Sequence, residues 1–172
     1  MFVERRGLPA GSGQGEPDTA ACFDLHRARC QESYVAETGR RICHYRAPDA
    51  ESVRIAFRSA GINADAIWTG TVHGDTKPST EYVVVDLEFR PPLPADTIAA
   101  LRLARTEWLL PIGLRLARAF VSTTHGRVIC MCDAEGRDIT RLTQSVNAPG
   151  EGRVWSCRSI AAPSEDAELA SC

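Results

Sequence analysis

Two stretches of the chain decide the predicted fold, one at residues 34–47 and the other at residues 120–134. The first reads Tyr-Val-Ala-Glu-Thr-Gly-Arg-Arg-Ile-Cys-His-Tyr-Arg-Ala, and the second reads Phe-Val-Ser-Thr-Thr-His-Gly-Arg-Val-Ile-Cys-Met-Cys-Asp-Ala. Each predicts a β-strand, a turn that contains glycine and a second strand, which is the pattern of a β-hairpin. The same motif therefore occurs twice.

Identities at one constant offset indicate that the chain is an internal repeat. They fall in two strands and a helix, where a chance coincidence at a single offset is not expected. The matching pairs are Ile42 and Ile129, Cys43 and Cys130, Ala47 and Ala134, Arg54 and Arg141, and Trp68 and Trp155.

Outside the hairpins, each half predicts the same element order, βαββαβ. A strand at residues 82–89 places Val83, Val85, Leu87 and Phe89 on one side and Asp86 and Glu88 on the other, so that one face is apolar. Pro94 and Pro48 suit the first turns of helices. In the first half the predicted elements are strand 2–6, helix 18–29, strands 32–36 and 40–46, a helix from residue 48, and strand 67–72. In the second half they are strand 82–89, helix 94–110, strands 114–122 and 127–133, helix 138–146 and strand 153–159.

The first half also resembles an uncharacterised family of small ferredoxin-like bacterial proteins that includes a nickel-binding member. The resemblance covers residues 33–68 and fades in the second half, where Phe120 replaces the tyrosine and Cys132 replaces the second aromatic residue. It implies a ferredoxin-like fold, often paired as a dimer, with metal binding as the associated property and no established activity. The residues that carry it are Ser33-Tyr34-Val35, Cys43, Tyr45, Ala47-Pro48-Asp49-Ala50-Glu51-Ser52-Val53-Arg54 and Gly61-Ile62.

The sequence therefore predicts an α+β fold of tandem ferredoxin-like βαββαβ repeats, with the two sheets packed face to face as in an α+β barrel. The predicted domains are a first repeat at residues 1–73, a linker at 74–80, a second repeat at 81–160 and a disordered tail at 161–172. Either the two halves pair within one monomer as an internal pseudo-dimer, or they exchange in a homodimer.

Composition narrows the expected partners and compartment. Hydrophobic residues make up 44% and charged residues 24% of the chain, which is typical of a globular protein. The formal charge is −2 and the arginines are dispersed, so a nucleic-acid partner is not expected. The sequence lacks both an apolar run of roughly 18 residues and a secretory signal, which predicts a cytoplasmic protein without a membrane partner.

Cysteine and histidine residues are the candidate metal ligands. The seven cysteines include no Cys-x-x-Cys pair, and reduced thiols are expected in the cytoplasm. Thiolate and imidazole ligands suit nickel or another divalent transition metal, and the resemblance favours nickel. The candidates are Cys43, His44, Cys130 and Cys132. Strand alternation sends Cys43 and His44 to opposite faces, and packing of buried cysteines is the alternative explanation.

The expected function is binding of a small molecule or metal ion in a cleft between the two sheets. An apolar pocket with a few polar groups is typical of such sites, although aromatic residues in paired strands also form ordinary cores. The candidate pocket residues are Tyr34, Tyr45, Trp68, Asp86 and Trp155.

The alternative function is a cofactor-independent enzyme that uses the same cleft for proton transfer, such as an isomerase or cyclase. Glu4 or His44 would act as the base, and Tyr34 or Tyr45 would donate a hydrogen bond to a developing oxyanion. An acid that is solvated or paired with arginine explains Glu4 equally well. The chain contains no dinucleotide fingerprint, phosphate loop or zinc-protease motif.

Overall fold

The computed structural model describes residues 1–8, 20–74, 81–97, 114–133 and 151–161. The chain divides into two compact units, the first formed by Met1–Trp68 with Ser159–Cys172 and the second by Thr69–Arg158. Strand β9, Glu151–Ala161, contributes residues to both units. Within the described residues, no helix is long and apolar enough to cross a membrane.

The first unit is an antiparallel sheet with two helices. Strand β1 pairs with β3 and β4, and β2 pairs with β3. The strand order is β4-β1-β3-β2. The elements are β1 (Phe2–Arg5), α1 (Ala20–Leu25), β2 (Arg29–Val35), β3 (Arg41–Arg46), α2 (Ala50–Ser59) and β4 (Ala66–Trp68).

Helix α2 begins and ends where its sequence signals require. The Asp49 side chain caps it by accepting hydrogen bonds from the backbone N–H and the hydroxyl of Ser52, at 2.7 and 2.8 Å. The backbone hydrogen bond from Ser52 lowers the pKa of the Asp49 carboxyl. Gly61 follows the helix with φ at +68°, a left-handed conformation that glycine adopts without strain. The cap and stop signals thus confirm the predicted helix.

The core of the first unit lies between its sheet and its helices. Phe23 stacks on Tyr45, with ring centroids 5.6 Å apart, and Phe57 meets both rings edge to face. These offset and edge contacts are the favourable geometries for aromatic pairs. The buried members of the cluster are Val3, Ala28, Cys43, Tyr45, Val53, Ala56 and Phe57.

The turn between β2 and β3 depends on Gly39. Its φ is +76°, and a Cβ atom built there would lie 2.2 Å from the carbonyl oxygen of Leu8. Leu8 N–H also donates to the Gly39 carbonyl at 3.1 Å. This close approach joins the hairpin to the segment that follows β1.

We expect Gly39→Ala to destabilise the protein more than Gly61→Ala. Both substitutions impose about 1–2 kcal/mol of left-handed backbone strain. The added Cβ atom clashes with Leu8 at Gly39, whereas no atom lies within 4 Å of a Cβ built on Gly61. Displacing Leu8 should add roughly 1–3 kcal/mol, the usual cost of overpacking. Urea denaturation of both variants measures the difference, and equal losses would contradict the steric explanation.

The second unit, over its described residues, is an antiparallel set of strands. The order is β9-β6-β8-β7-β5, with β5 at one edge. Val83, Val85 and Leu87 project from β6 into an apolar cluster with Leu114 and Val121. The further strands of this unit are β5 (Gly70–His73), β6 (Glu81–Glu88), β7 (Arg115–Ser122) and β8 (Arg127–Asp133).

The prediction of tandem βαββαβ repeats with sheets packed face to face is wrong. Of the described residues 51% are strand and 17% helix, mostly in antiparallel sheet. The predicted strand at 67–72 is broken at Thr69, so that β4 belongs to the first unit and β5 pairs with β7 in the second. The end of β9 belongs in turn to the first unit.

Several predicted segments lie wholly or largely outside the described residues. They are residues 98–110 of the helix predicted at 94–110, the helix predicted at 138–146, residues 75–80 of the linker and the tail after residue 161.

Candidate functional site

The sheet of the first unit presents two chemically different faces. Alternation along β1 sends Val3 toward the helices, where it packs with Cys43. Phe2 and Glu4 therefore point to the helix-free face, together with His44, which is paired with Phe2. Polar and aromatic side chains gather on this second face.

An aromatic stack crosses the helix-free face on β3, β1 and β4. The Phe2 ring lies between His44 and Trp68, with centroid distances of 4.9 and 4.4 Å and interplanar angles of 16° and 23°. The strand register explains this stack, since Phe2 is paired with His44 on one side and with Trp68 on the other. The His44 ring is thereby fixed in orientation.

Glu4 is a fully buried acid on the same face. One carboxylate oxygen accepts a hydrogen bond from Trp68 Nε1 at 3.0 Å, and the other accepts from Arg40 at 3.3 Å. The Arg40 side chain is itself mostly buried. Both carboxylate oxygens are thus engaged, and the ion pair compensates for the burial of the charge.

Glu32 and His44 lie directly opposite each other on β2 and β3. A β-bulge between Cys30 and Glu32 shifts the register, so Glu32 points to the helix-free face although Cys30 does not. The Tyr34 hydroxyl donates to Glu32 Oε2 at 3.0 Å. A carboxylate and an imidazole are therefore neighbours across two strands, and both are half-buried.

Two thiols share one hydroxyl group on the helix-covered face. Ser33 Oγ lies 3.0 Å from Cys43 Sγ and 3.8 Å from Cys30 Sγ. Arg41 donates to the same oxygen from Nε and Nη2, at 3.3 and 3.2 Å. Because guanidinium only donates, Ser33 accepts from Arg41, and its own hydrogen remains available for a sulfur.

The pKa values of this thiol pair are displaced in opposite directions. The neighbouring Cys30 thiol, aided by the Arg41 charge, lowers the pKa of Cys43 despite burial. The interaction with Cys43, together with burial, raises the pKa of Cys30. Burial, followed by the neighbouring Cys43, also raises the pKa of Tyr45.

The predicted metal ligands do not form one donor set within either unit. Cys43 and His44 project from opposite faces of β3. Cys130 and Cys132 lie in the apolar cluster of the second unit. Burial, reinforced by Asp86, raises the pKa of Cys130 to about 12, and burial also raises that of Cys132. Among the described residues, no group of three or more His, Cys, Asp or Glu side chains could hold a metal ion.

The predicted catalytic and pocket residues fall into three places. Glu4, Tyr34, His44 and Trp68 share the helix-free face of the first unit. Tyr45 points to the opposite face, against Phe23 and Phe57. Asp86 and Trp155 belong to one face of the second unit, where Trp155 is paired with Val84 and Arg153 with Asp86.

Asp86 is the centre of a charge cluster in the second unit. It is fully buried and accepts two hydrogen bonds from Arg127, at 2.9 and 2.8 Å. Arg153 lies 3.6 Å from the same carboxylate and also contacts Glu88. This bidentate geometry is the strong form of an arginine–carboxylate pair.

Part of the first unit is similar to a known protein family. Residues 17–69 match the family described as nickel responsive protein SCO4226-like. The match covers less than half of the chain and lies almost entirely in the first unit. It supports the family resemblance predicted from residues 33–68. No curated protein and no solved structure matches the chain.

Sequence reasoning missed Glu32, Cys30 and Ser33 as site residues. The predicted strand began at Glu32, whereas β2 begins at Arg29 and includes Cys30. Uninterrupted alternation would place Cys30 and Glu32 on one face, and the bulge separates them. The residue types did contain a signal for these site residues. A thiol, a carboxylate and a hydroxyl group lie within four positions, and the hairpin places them opposite the Cys43-His44 segment.

Proposed function

We propose that the first unit binds a divalent transition-metal ion, with nickel(II) the first candidate, through the His44 imidazole and the Glu32 carboxylate. The observation that carries this proposal is the direct pairing of these two residues on the helix-free face. Imidazole and carboxylate are both donors that first-row divalent ions accept. The residues present therefore fit such an ion.

Neighbouring groups support this assignment because they orient each donor. Tyr34 O–H donates to Glu32, and Phe2 stacks against the His44 ring. Contacts made to metal ligands by residues that do not themselves bind the metal fix the direction of those ligands and contribute to metal affinity. Trp68 extends the support, since it stacks on Phe2 while its N–H is directed to Glu4.

The family match supports the choice of nickel. Both proposed donors lie within residues 17–69, the segment similar to a family described as nickel responsive. Two protein donors make an open site rather than the closed four-ligand arrangement of structural metal centres. An exchangeable ion at such a site suits reversible binding, and a small molecule with its own donor atoms could share the ion.

The geometry favours binding over the proton-transfer enzyme. Both oxygens of Glu4, one of the two candidate bases, already accept hydrogen bonds from Trp68 and Arg40. A base needs access to the proton that it removes. Tyr45, one of the two candidate donors, projects from the other face of the sheet. The enzyme hypothesis remains a prediction.

Nickel titration of metal-free protein without an affinity tag tests the proposal. We expect saturable heat release in calorimetry with the wild-type chain, and loss of binding in both His44→Gln and Glu32→Gln. Tyr34→Phe removes the hydrogen bond that orients Glu32, so we expect the affinity for nickel to fall roughly 10-fold, the usual effect of losing a contact that orients a metal ligand.

Matched controls separate this site from other nickel-binding groups. His26→Gln changes a histidine in the turn after α1, and Glu37→Gln changes an exposed acid in the β2–β3 turn. Both should bind nickel as the wild type does. Wild-type affinity in His44→Gln, or equal losses in His26→Gln, would overturn the assignment. Circular dichroism of each variant checks that the fold is retained.

A further inference from the structure

Cys30 and Cys43 form a close pair of thiols on the helix-covered face of the first unit. Both thiols contact the Ser33 hydroxyl, Cys43 at 3.0 Å and Cys30 at 3.8 Å. All six cysteines in the described part of the chain are free thiols. Disulfide formation needs two cysteines on neighbouring segments with side chains directed toward each other. These two thiols converge on one hydroxyl group from paired strands.

The strand register brings the two cysteines together. Cys30 lies opposite Tyr45, whereas Cys43 lies opposite Ser33. Cys30 and Cys43 are therefore diagonal neighbours across an antiparallel pair of strands, and both side chains project from the helix-covered face. The bulge after Cys30 keeps the thiol on the same face as Ser33. The hairpin thus preorganises the pair.

The two thiols differ in their access to solvent. Cys43 is buried, whereas Cys30 near the start of β2 is only partly buried. A dissolved reagent should therefore reach Cys30 first. Cys43 would then react with the neighbouring sulfur and not with the reagent itself.

We propose that Cys30 and Cys43 are a redox-active dithiol whose substrate is a low-molecular-weight disulfide. Cys30 sulfur attacks one sulfur of the small disulfide and forms a mixed disulfide, and the displaced sulfur takes up the proton as a free thiol. Cys43 sulfur then attacks Cys30 sulfur and displaces the second small thiol, which takes up the other proton. Two protein thiols are oxidised to one disulfide, and the small disulfide is reduced to two thiols.

The other described cysteines supply an internal contrast. Cys130 and Cys132 are buried in the apolar cluster of the second unit, and Cys157 is also buried. Cys22 is partly buried like Cys30, but it lies on α1. Oxidation should therefore be selective for the pair on β2 and β3.

The test exposes the reduced, full-length protein to oxidised glutathione. We expect the intact mass to fall by two hydrogens, without bound glutathione at the end of the reaction. Trypsin cleaves after Arg29, Arg40, Arg41 and Arg46, so Cys30 and Cys43 fall in separate peptides. In the oxidised protein these peptides should be found as one linked species that a reductant separates.

Single substitutions test each step. Cys43→Ser should stop at the mixed disulfide and retain one glutathione on Cys30, whereas Cys30→Ser should give neither product at this pair. Cys22→Ser should behave as the wild type does. Glutathione that persists on Cys30 of the wild type, linked peptides from other cysteines, or an unreacted pair in folded protein would each overturn the proposal. Circular dichroism before and after oxidation establishes that the reacting protein is folded.

Discussion

Asp86→Ala should lower the free energy of unfolding by about 3–5 kcal/mol, the usual effect of removing one partner of a buried ion pair. Asp86 is fully buried, and the Arg127 side chain is only 14% exposed. Without the carboxylate, Arg127 loses two short hydrogen bonds while most of its side chain stays out of water. Arg153 is 44% exposed, so it can turn to solvent and lose less. Urea denaturation measures the change.

Two further variants identify the cause of the Asp86 effect. Asp133→Ala breaks the more exposed pair with Arg115 in the same unit and should cost at most about 1 kcal/mol. The double variant Asp86→Leu with Arg127→Leu removes both charges, and it should recover much of the loss because an apolar pair needs no compensation. A loss in Asp86→Ala no larger than that in Asp133→Ala would contradict a buried ion pair.

Phe57→Ala is the second substitution with a large expected effect, about 3–5 kcal/mol of destabilisation. Phe57 is almost fully buried, and its ring meets Phe23 and Tyr45 edge to face. Truncation removes apolar contact area and leaves a cavity between α2 and the sheet. Thermal and urea denaturation should both show the loss.

The matched variants for Phe57 change size or location. Phe57→Leu keeps much of the volume, and we expect a loss of under about 1.5 kcal/mol. Leu25 is a large apolar residue on α1 that is 77% exposed, so Leu25→Ala should change stability by no more than about 0.5 kcal/mol. Equal stability losses in Phe57→Ala and Leu25→Ala would contradict the burial of Phe57 between α2 and the sheet.

Local sequence signals predicted the elements of this protein well. The two hairpins, strand β6 and the cap and apolar face of α2 are all confirmed. Each depends on alternation, a turn or a cap within a few residues, which the sequence displays directly. The expectations about nucleic acid, oligomeric state and compartment remain predictions.

The choice of strand partners could not be predicted from the same signals. Residues 67–72 have a suitable pattern for one strand, yet Thr69 separates β4 from β5, and β5 pairs with β7. A local pattern shows that a segment is extended but not which distant edge it joins, because that depends on contacts far along the chain. The domain bounds predicted from the repeat in sequence remain a prediction.

The candidate site was predicted in part. His44, Tyr34 and Trp68 were selected from their residue types and lie on one face with Glu4. The partner Glu32 was not selected, because its direction depends on a bulge that the sequence does not mark. A single additional residue in a strand moves every later side chain to the opposite face of the sheet. An unrecognised bulge therefore affects the prediction of site residues more than the prediction of strands.

Strand β9 gives the protein a particular order of assembly during synthesis. Residues 1–68 leave the ribosome early, but the first unit also includes the chain from Ser159 onward. The residues of the second unit, Thr69–Arg158, must all be synthesised in between. A nascent chain that contains β1 to β4 must therefore wait for β9 before its own unit is complete. Contacts of such long sequence separation form slowly, and we expect a chaperone that protects exposed strand edges to increase the yield of folded protein.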